Sequence, residues 1–268
     1  MKRAIALCMV LLSSTAVRGL AQAGGPPPPP NVLVIAKEEV KVGRGAEHAN
    51  YEAGWPTAYT KYKDPTNYLA MTSTSGPNEA WFLIGYPSFA AMEKDNDRAQ
   101  ANVPMTAELR KLTKGDADFI SNSSTQLLAL LPQLTYGPNV AIPMMRYIEV
   151  VTYRVRPGHD GDFMKAASMY REAAAKSNVD RPWAVYRTVS GTPADTYVVL
   201  LPMKSLSTWD RQDTGDAAIM GAMGERAGAF DKLVSDGIAT TTSQVFEFSS
   251  KMSYVSKEWK AANPTFWK

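Results

Sequence analysis

Cysteine and histidine are almost missing from this sequence: of 268 residues, one is cysteine (Cys8) and two are histidine (His48 and His159). Cys8 falls inside Met1 to Ala23, which reads as a secretory signal peptide. Lys2 and Arg3 make a basic start, Ala4 to Leu12 begin an apolar stretch too short to span a bilayer, and Ala21-Gln22-Ala23 supplies a small-x-small cleavage pattern. Cleavage removes the thiol, which excludes a disulfide framework, a thiolate nucleophile and a cysteine-ligated metal. An excess of one charge is missing too. The leader holds Lys2, Arg3 and Arg18 and no acid, so the 29 basic and 26 acidic residues of the whole become 26 of each. A mature chain of zero net charge has no bulk attraction for nucleic acid. No later run reaches the about 18 apolar residues that a membrane-crossing helix needs. The two histidines show neither HxH nor HExxH spacing, so no metal site is expected. Gly221, Gly224 and Gly228 sit in a helical pattern rather than after a strand, so the dinucleotide fingerprint is absent and no cofactor is expected. The expected location is the periplasm or the outside of a bacterial cell.

What the sequence does contain is an internal repeat. After a Gly/Pro-rich spacer over 24–30, read as a stiff tether, an offset of 115 lays Val40-Lys41-Val42-Gly43 over Val155-Arg156-Pro157-Gly158. The same offset matches Ser75-Gly76 with Ser190-Gly191, Pro87 with Pro202, Trp55 with Tyr170 and Tyr68 with Trp183. Past Pro87 the register slips, then returns with Thr125-Gln126 over Ser243-Gln244. Each copy reads as strand, helix, strand, strand, helix, strand. In the second, β-branched Arg146 to Val155 opens the unit, and Phe163, Ala167, Tyr170 and Ala174 recur at helical spacing. A Ser-Gly-Thr-Pro turn then joins two strands. In the first, the spacing predicts one helix over 47–62, a helical stretch over 89–112 and a closing strand over 125–131. The expected organisation is a first unit over 31–131, a linker over 132–145, a second unit over 146–255 and an aromatic tail over 256–268. Trp259, Phe266 and Trp267 in that tail are expected to dock on the body of the chain or on a partner.

A strand ending in Val-Arg-Pro-Gly-His before Asp-Gly-Asp-Phe at a helix start resembles the dimeric α+β barrel superfamily, which includes antibiotic-biosynthesis-type monooxygenases and NIPSNAP-type proteins. The first copy, with Val-Lys-Val-Gly-Arg-Gly-Ala-Glu-His, has lost the proline. The resemblance implies an α+β fold of two tandem ferredoxin-like βαββαβ units, pairing their sheets as an intramolecular barrel. It also implies that a haem-degrading member would carry a histidine late in the second helix. Neither 89–112 nor 205–234 has one.

The candidate site follows from how the copies differ. His48 heads a helical stripe of His48, Glu52, Trp55, Tyr59 and Tyr62, where the sister copy has Phe163, Ala167, Tyr170, Ala174 and Ser177. Polar aromatics in one copy alone are what a one-sided ligand pocket needs. His48 is the candidate catalytic base, oriented by Glu52, with Glu52, Trp55, Tyr59 and Tyr68 as candidate ligand-binding residues. The plainer reading makes Trp55 and Tyr59 core and His48 a satisfied, half-exposed helix-start residue, since an aromatic stripe on a helix is usually core. His159, after Pro157-Gly158, reads as a rim proton carrier or a solvated turn residue. Three functions fit: binding of a small apolar or aromatic molecule, a cofactor-independent monooxygenase, or an envelope interaction protein with no small-molecule site. The assembly expected is a monomer or a homodimer.

Overall fold

The computed structural model describes residues 26–268; the expected signal peptide over 1–23 and Gly24-Gly25 lie outside the described residues. Eight strands close into one barrel. The first unit contributes β1 (Val32–Val40), β2 (Tyr68–Ser73), β3 (Glu79–Tyr86) and β4 (Ile120–Leu130). The second contributes β5 (Tyr147–Val155), β6 (Ala184–Ser190), β7 (Thr196–Met203) and β8 (Ile238–Tyr254). Around the barrel the order is β1-β3-β2-β8-β5-β7-β6-β4, antiparallel throughout. Each unit alone is a four-stranded ferredoxin-like sheet with two raw edges. The seams β2·β8 and β4·β6 join those edges, so among the described residues no strand edge is left unpaired to invite aggregation.

The seams obey a pseudo-two-fold. Met71 pairs with Phe248 across one seam, and Tyr186 pairs with Leu130 across the other. Met71 and Tyr186 are 115 residues apart, while Leu130 and Phe248 are 118 apart, the offsets found in the sequence before and after the slip. The hairpin glycines repeat the symmetry. Gly76 (φ +81) lies against the Gln244 side chain of β8, and Gly191 (φ +91) against the backbone of Thr125 and Gln126 in β4. Both need a left-handed backbone, which explains why a glycine stands in each turn.

Helices cover the outside of each sheet. The expected helix over 47–62 is two: α1 (Gly45–Glu52) and α2 (Gly54–Tyr62). Pro56 has no N–H to donate to the carbonyl four residues back, at Glu52, so the backbone breaks there. The stretch after Pro87 is likewise split into α3 (Phe89–Ala101), whose N-cap Ser88 Oγ accepts from Ala91 N–H, and α4 (Val103–Asp116), with Pro104 in its first turn. The second unit keeps its first helix whole as α5 (Asp160–Ser177). It then runs through α6 (Gln212–Met223) and α7 (Ala227–Gly237). Gly224 (φ +59) ends α6 with open space where a Cβ would stand, so the glycines there mark a break rather than close packing.

Three cores follow from strand alternation. Leu33, Ile35, Trp81, Leu128, Val150, Val198, Phe246 and Phe248 point into the barrel; the other face of each sheet packs on its helices. The tail docks within the chain. After a short α8 (Lys257–Ala262), Trp267 is buried and its Nε1 donates to the Pro143 carbonyl at 2.8 Å, while the Arg146 guanidinium lies 4.0 Å from the Phe266 ring centre. The proline spacer is no free tether either. Pro26 to Pro30 lie along the barrel mouth, with Pro30 close against Gly85 and its carbonyl accepting from Tyr186 Oη at 3.0 Å.

Candidate functional site

Alternation along β1 places Leu33, Ile35 and Lys37 in the barrel and Ala36, Glu38 and Val40 under the helices. Glu38 therefore meets α1, whose one buried face presents His48 and, one turn on, Glu52. Asp116, at the end of α4, completes the group. His48 Nε2 is 3.0 Å from Glu38 Oε2 and 3.6 Å from Asp116 Oδ1. One donor atom from each of Glu38, His48, Glu52 and Asp116 lies within 4.8 Å of the others. His48 is 1% exposed, Glu52 2% and Asp116 3%. The side chain of Glu38, 18% exposed, gives the cluster its contact with solvent.

Three carboxylates share this space, and among the described residues no lysine or arginine forms an ion pair with any of them. Burial, reinforced by the Glu38 and Asp116 carboxylates, pushes the Glu52 carboxyl up to about 9. Burial and Glu38 raise Asp116 to about 6, against the opposing pull of His48. Glu52 Oε1 and Asp116 Oδ1 are buried without a hydrogen-bond partner. Unpaired buried acceptors are costly, and two in one cluster call for an explanation.

The aromatic residues lie beside this cluster and pack against one another. Tyr59 and Tyr68 meet edge to face with ring centres 5.4 Å apart, and Tyr254 lies 5.4 Å from Tyr59. Burial lifts Tyr59 to about 12, and Tyr68 above the ordinary phenol range, so neither serves as a base near neutrality. Trp55 is half-buried, its indole N–H close enough to Glu52 to pull that carboxyl slightly down but without a well-formed hydrogen bond to it. His159, at the start of α5, is part-exposed and bonded to Asp162 Oδ2 at 2.7 Å, an ordinary i, i+3 contact.

The large cavity is elsewhere, at the barrel end where β1 and β5 begin. It holds about 690 Å³. Leu33, Leu83, Ile148, Leu200 and Phe248 form its wall. Pro26 to Pro30, the 137–143 segment and Trp259 of α8 form its rim. Of the four ligand-binding candidates, Tyr68 borders it; Glu52, Trp55 and Tyr59 do not.

No sequence-family model matches the chain, and no curated protein matches it by sequence. Solved structures match by shape. A proposed monooxygenase from Lactobacillus acidophilus is 6% identical, with a TM-score of 0.50 over 81% of this chain and 93% of that one. Another from Fusobacterium nucleatum is 9% identical, at 0.51 over 81% and 91%. An anthrone oxidase-like protein is 12% identical, at 0.52 over 84% and 94%. This chain has the dimeric α+β barrel fold. At such identity the likeness establishes architecture, not chemistry.

Within this barrel the two copies give an internal control. Offset by 115, Glu38, His48 and Glu52 correspond to Tyr153, Phe163 and Ala167. Val40 faces Ile120 as Val155 faces Ile238, which puts Asp116 over Val234. In the second unit Tyr153 and Phe163 pack against each other with tilted rings, centres 5.7 Å apart. The fold thus fills these positions with apolar side chains when nothing else is asked of them. His48 and Glu52 were visible as a helical pair. Glu38 and Asp116 were missed, although an acid on the helix-covered face of β1 was a legible signal.

Proposed function

We propose that this protein binds a small apolar or aromatic molecule in the cavity at the barrel mouth. The observation that carries the reading is a cavity of about 690 Å³ with an almost wholly hydrocarbon wall. Small-molecule sites of that size and character are typical. A structural protein would fill such a space with its own side chains, as this barrel does farther in around Trp81, Leu128 and Phe246. The site differs from the one expected from sequence in lying between the units rather than inside the first. The signal-like leader supports export, so the ligand would be met in the periplasm or outside the cell. Among the described residues no helix is long and apolar enough to cross a membrane.

The oxygenase reading, suggested by the names of two structural neighbours, comes second. Its candidate base, His48, borders neither this cavity nor the smaller surface pocket along α3 and α4.

Native mass spectrometry of the mature protein, alone and with a panel of polycyclic aromatics and long-chain fatty acids, tests the binding reading. The expected result is one adduct per chain, lost in Ala184→Trp, where the indole occupies the cavity. Absence of any adduct across the panel, or adducts indifferent to Ala184→Trp, refutes it.

A further inference from the structure

We propose that Glu38, His48, Glu52 and Asp116 bind one divalent first-row transition ion, with the His48 imidazole and three carboxylates as ligands. Nothing in this inference depends on the barrel-mouth cavity, which lies toward the opposite end of β1 and on the other face of the sheet.

Three observations lead here. The first is distance. Donor atoms mutually within 4.8 Å fit around a centre bonded at about 2.0–2.4 Å, the range of metal–nitrogen and metal–oxygen bonds. The second is the pair of orphaned acceptors. Glu52 Oε1 and Asp116 Oδ1 sit on side chains more than nine-tenths buried and accept no hydrogen bond, and Asp116 Oδ1 is turned into the cluster, 3.6 Å from His48 Nε2. A cation would satisfy both at once. The third is the sister copy, where Tyr153, Phe163, Ala167 and Val234 occupy the matching positions and the barrel still closes. Folding does not demand four polar groups between sheet and helices, yet the first unit gathers all four from β1, α1 and α4.

The donor set selects the ion. Three hard carboxylate oxygens favour Mn2+ or Mg2+, whereas an imidazole favours iron, zinc or copper; together they suit a divalent ion such as Mn2+, Fe2+ or Zn2+. Calcium takes six to eight oxygens and gains little from a nitrogen donor. Binding requires the imidazole lone pair at Nε2, so the His48–Glu38 hydrogen bond gives way to two bonds to one ion. Glu38, the member open to solvent, marks the side of entry.

The competing account is a metal-free cluster in which Glu52 and a neighbour hold protons. Equilibrium dialysis of the mature protein against Mn2+, Zn2+ and Ca2+ separately, with the Mn2+ signal followed by electron paramagnetic resonance, decides between them. The expected result is one Mn2+ or Zn2+ per chain. A rise in melting temperature should accompany it and be reversed by a chelator. Glu52→Gln and Asp116→Asn should each weaken binding by about 100-fold or more. His48→Phe with Glu52→Ala copies the second unit and should abolish binding while leaving the circular dichroism spectrum unchanged. Any of three outcomes overturns the proposal: no stoichiometric uptake of Mn2+ or Zn2+ by the wild type, uptake of Ca2+ alone, or uptake unaffected by Glu52→Gln and Asp116→Asn.

Discussion

Lys37 is a cation inside the barrel, and replacing it with methionine should stabilise the protein. Its ammonium lies 3.6 Å from the centre of the Trp81 ring, on the face of β1 shared with Leu33 and Ile35. Burial lowers its pKa from 10.5 to about 8, with Glu79 pulling the other way. A shift of that size corresponds to about 3 kcal/mol against the charged form. The cation–π contact with Trp81 returns about 1 kcal/mol, so the expected net gain of Lys37→Met at pH 7 is about 2 kcal/mol. For a chain of this length that raises the melting temperature by about 4–8 °C. The sign has a second consequence. Between pH 8 and 10.5 the folded lysine has shed its proton while the unfolded one keeps it, so wild-type stability climbs through that window and the advantage of Lys37→Met fades. Urea titrations of both proteins at pH 7 and pH 9.5 read both effects. A variant less stable than wild type at pH 7, or an advantage undiminished at pH 9.5, refutes the reasoning.

The two hairpin glycines should respond unequally to alanine. At Gly191 the new Cβ would stand 2.1 Å from the Thr125 carbonyl oxygen, so Gly191→Ala should cost about 3 kcal/mol or more in urea unfolding. Gly76→Ala meets the movable end of Gln244 and should cost only the about 1 kcal/mol of a left-handed backbone. Arg98 grips the buried Asp64 carboxylate with two bonds of 2.7 and 3.0 Å. Arg98→Met strands that charge and should lose about 2–4 kcal/mol, partly recovered when Asp64→Asn is added in a double-mutant cycle. Trp267→Ala empties a site 2% exposed and removes the shorter of two hydrogen bonds to the Pro143 carbonyl, leaving that from Asn263. A loss of about 3 kcal/mol, with faster proteolysis after Val255, is the expected reading.

The fold was legible because its marks are local and duplicated. Pro157-Gly158, Ser75-Gly76 and Ser190-Gly191 fix turns by backbone geometry, and two copies double each signal. Strand ends were less legible. β4 begins at Ile120, well before the expected 125, and β8 begins as early in its copy, at Ile238, although Ser121 to Thr125 and Thr240 to Ser243 carry no apolar alternation. They are strands because β1 and β5 run beside them, a tertiary cause that a window of sequence does not contain. The candidate site was half visible for the same reason. His48 and Glu52 are four apart on one helix; Asp116 lies 64 residues beyond Glu52 and joins them only when α4 returns across the sheet. The cavity was invisible, since the proline spacer, the linker and the tail that rim it are three segments with no sequence pattern in common.

Fusion of two units explains why the copies were free to part. In a symmetric dimer every substitution is made twice, so a charged cluster beneath one sheet would be matched by a second beneath the other. Here the seams are covalently committed. One unit keeps Tyr153, Phe163 and Ala167 in its sheet–helix core while the other carries Glu38, His48, Glu52 and Asp116. Stability and chemistry are thereby divided between halves: a buried group of like charges lowers the stability of the unit that holds it, and the apolar twin is not obliged to share that cost. The barrel lumen is different, because both units build it and neither can change it alone. Leu33 of one unit and Ile148 of the other, positions that correspond under the repeat, both line it, beside Leu83 and Leu200. A ligand seated there touches both halves, so occupancy should stabilise the seams, whereas an ion under α1 should stabilise the first unit. Hydrogen exchange along β2·β8 and β4·β6, compared with that of α1, separates the two sites even before either ligand is named.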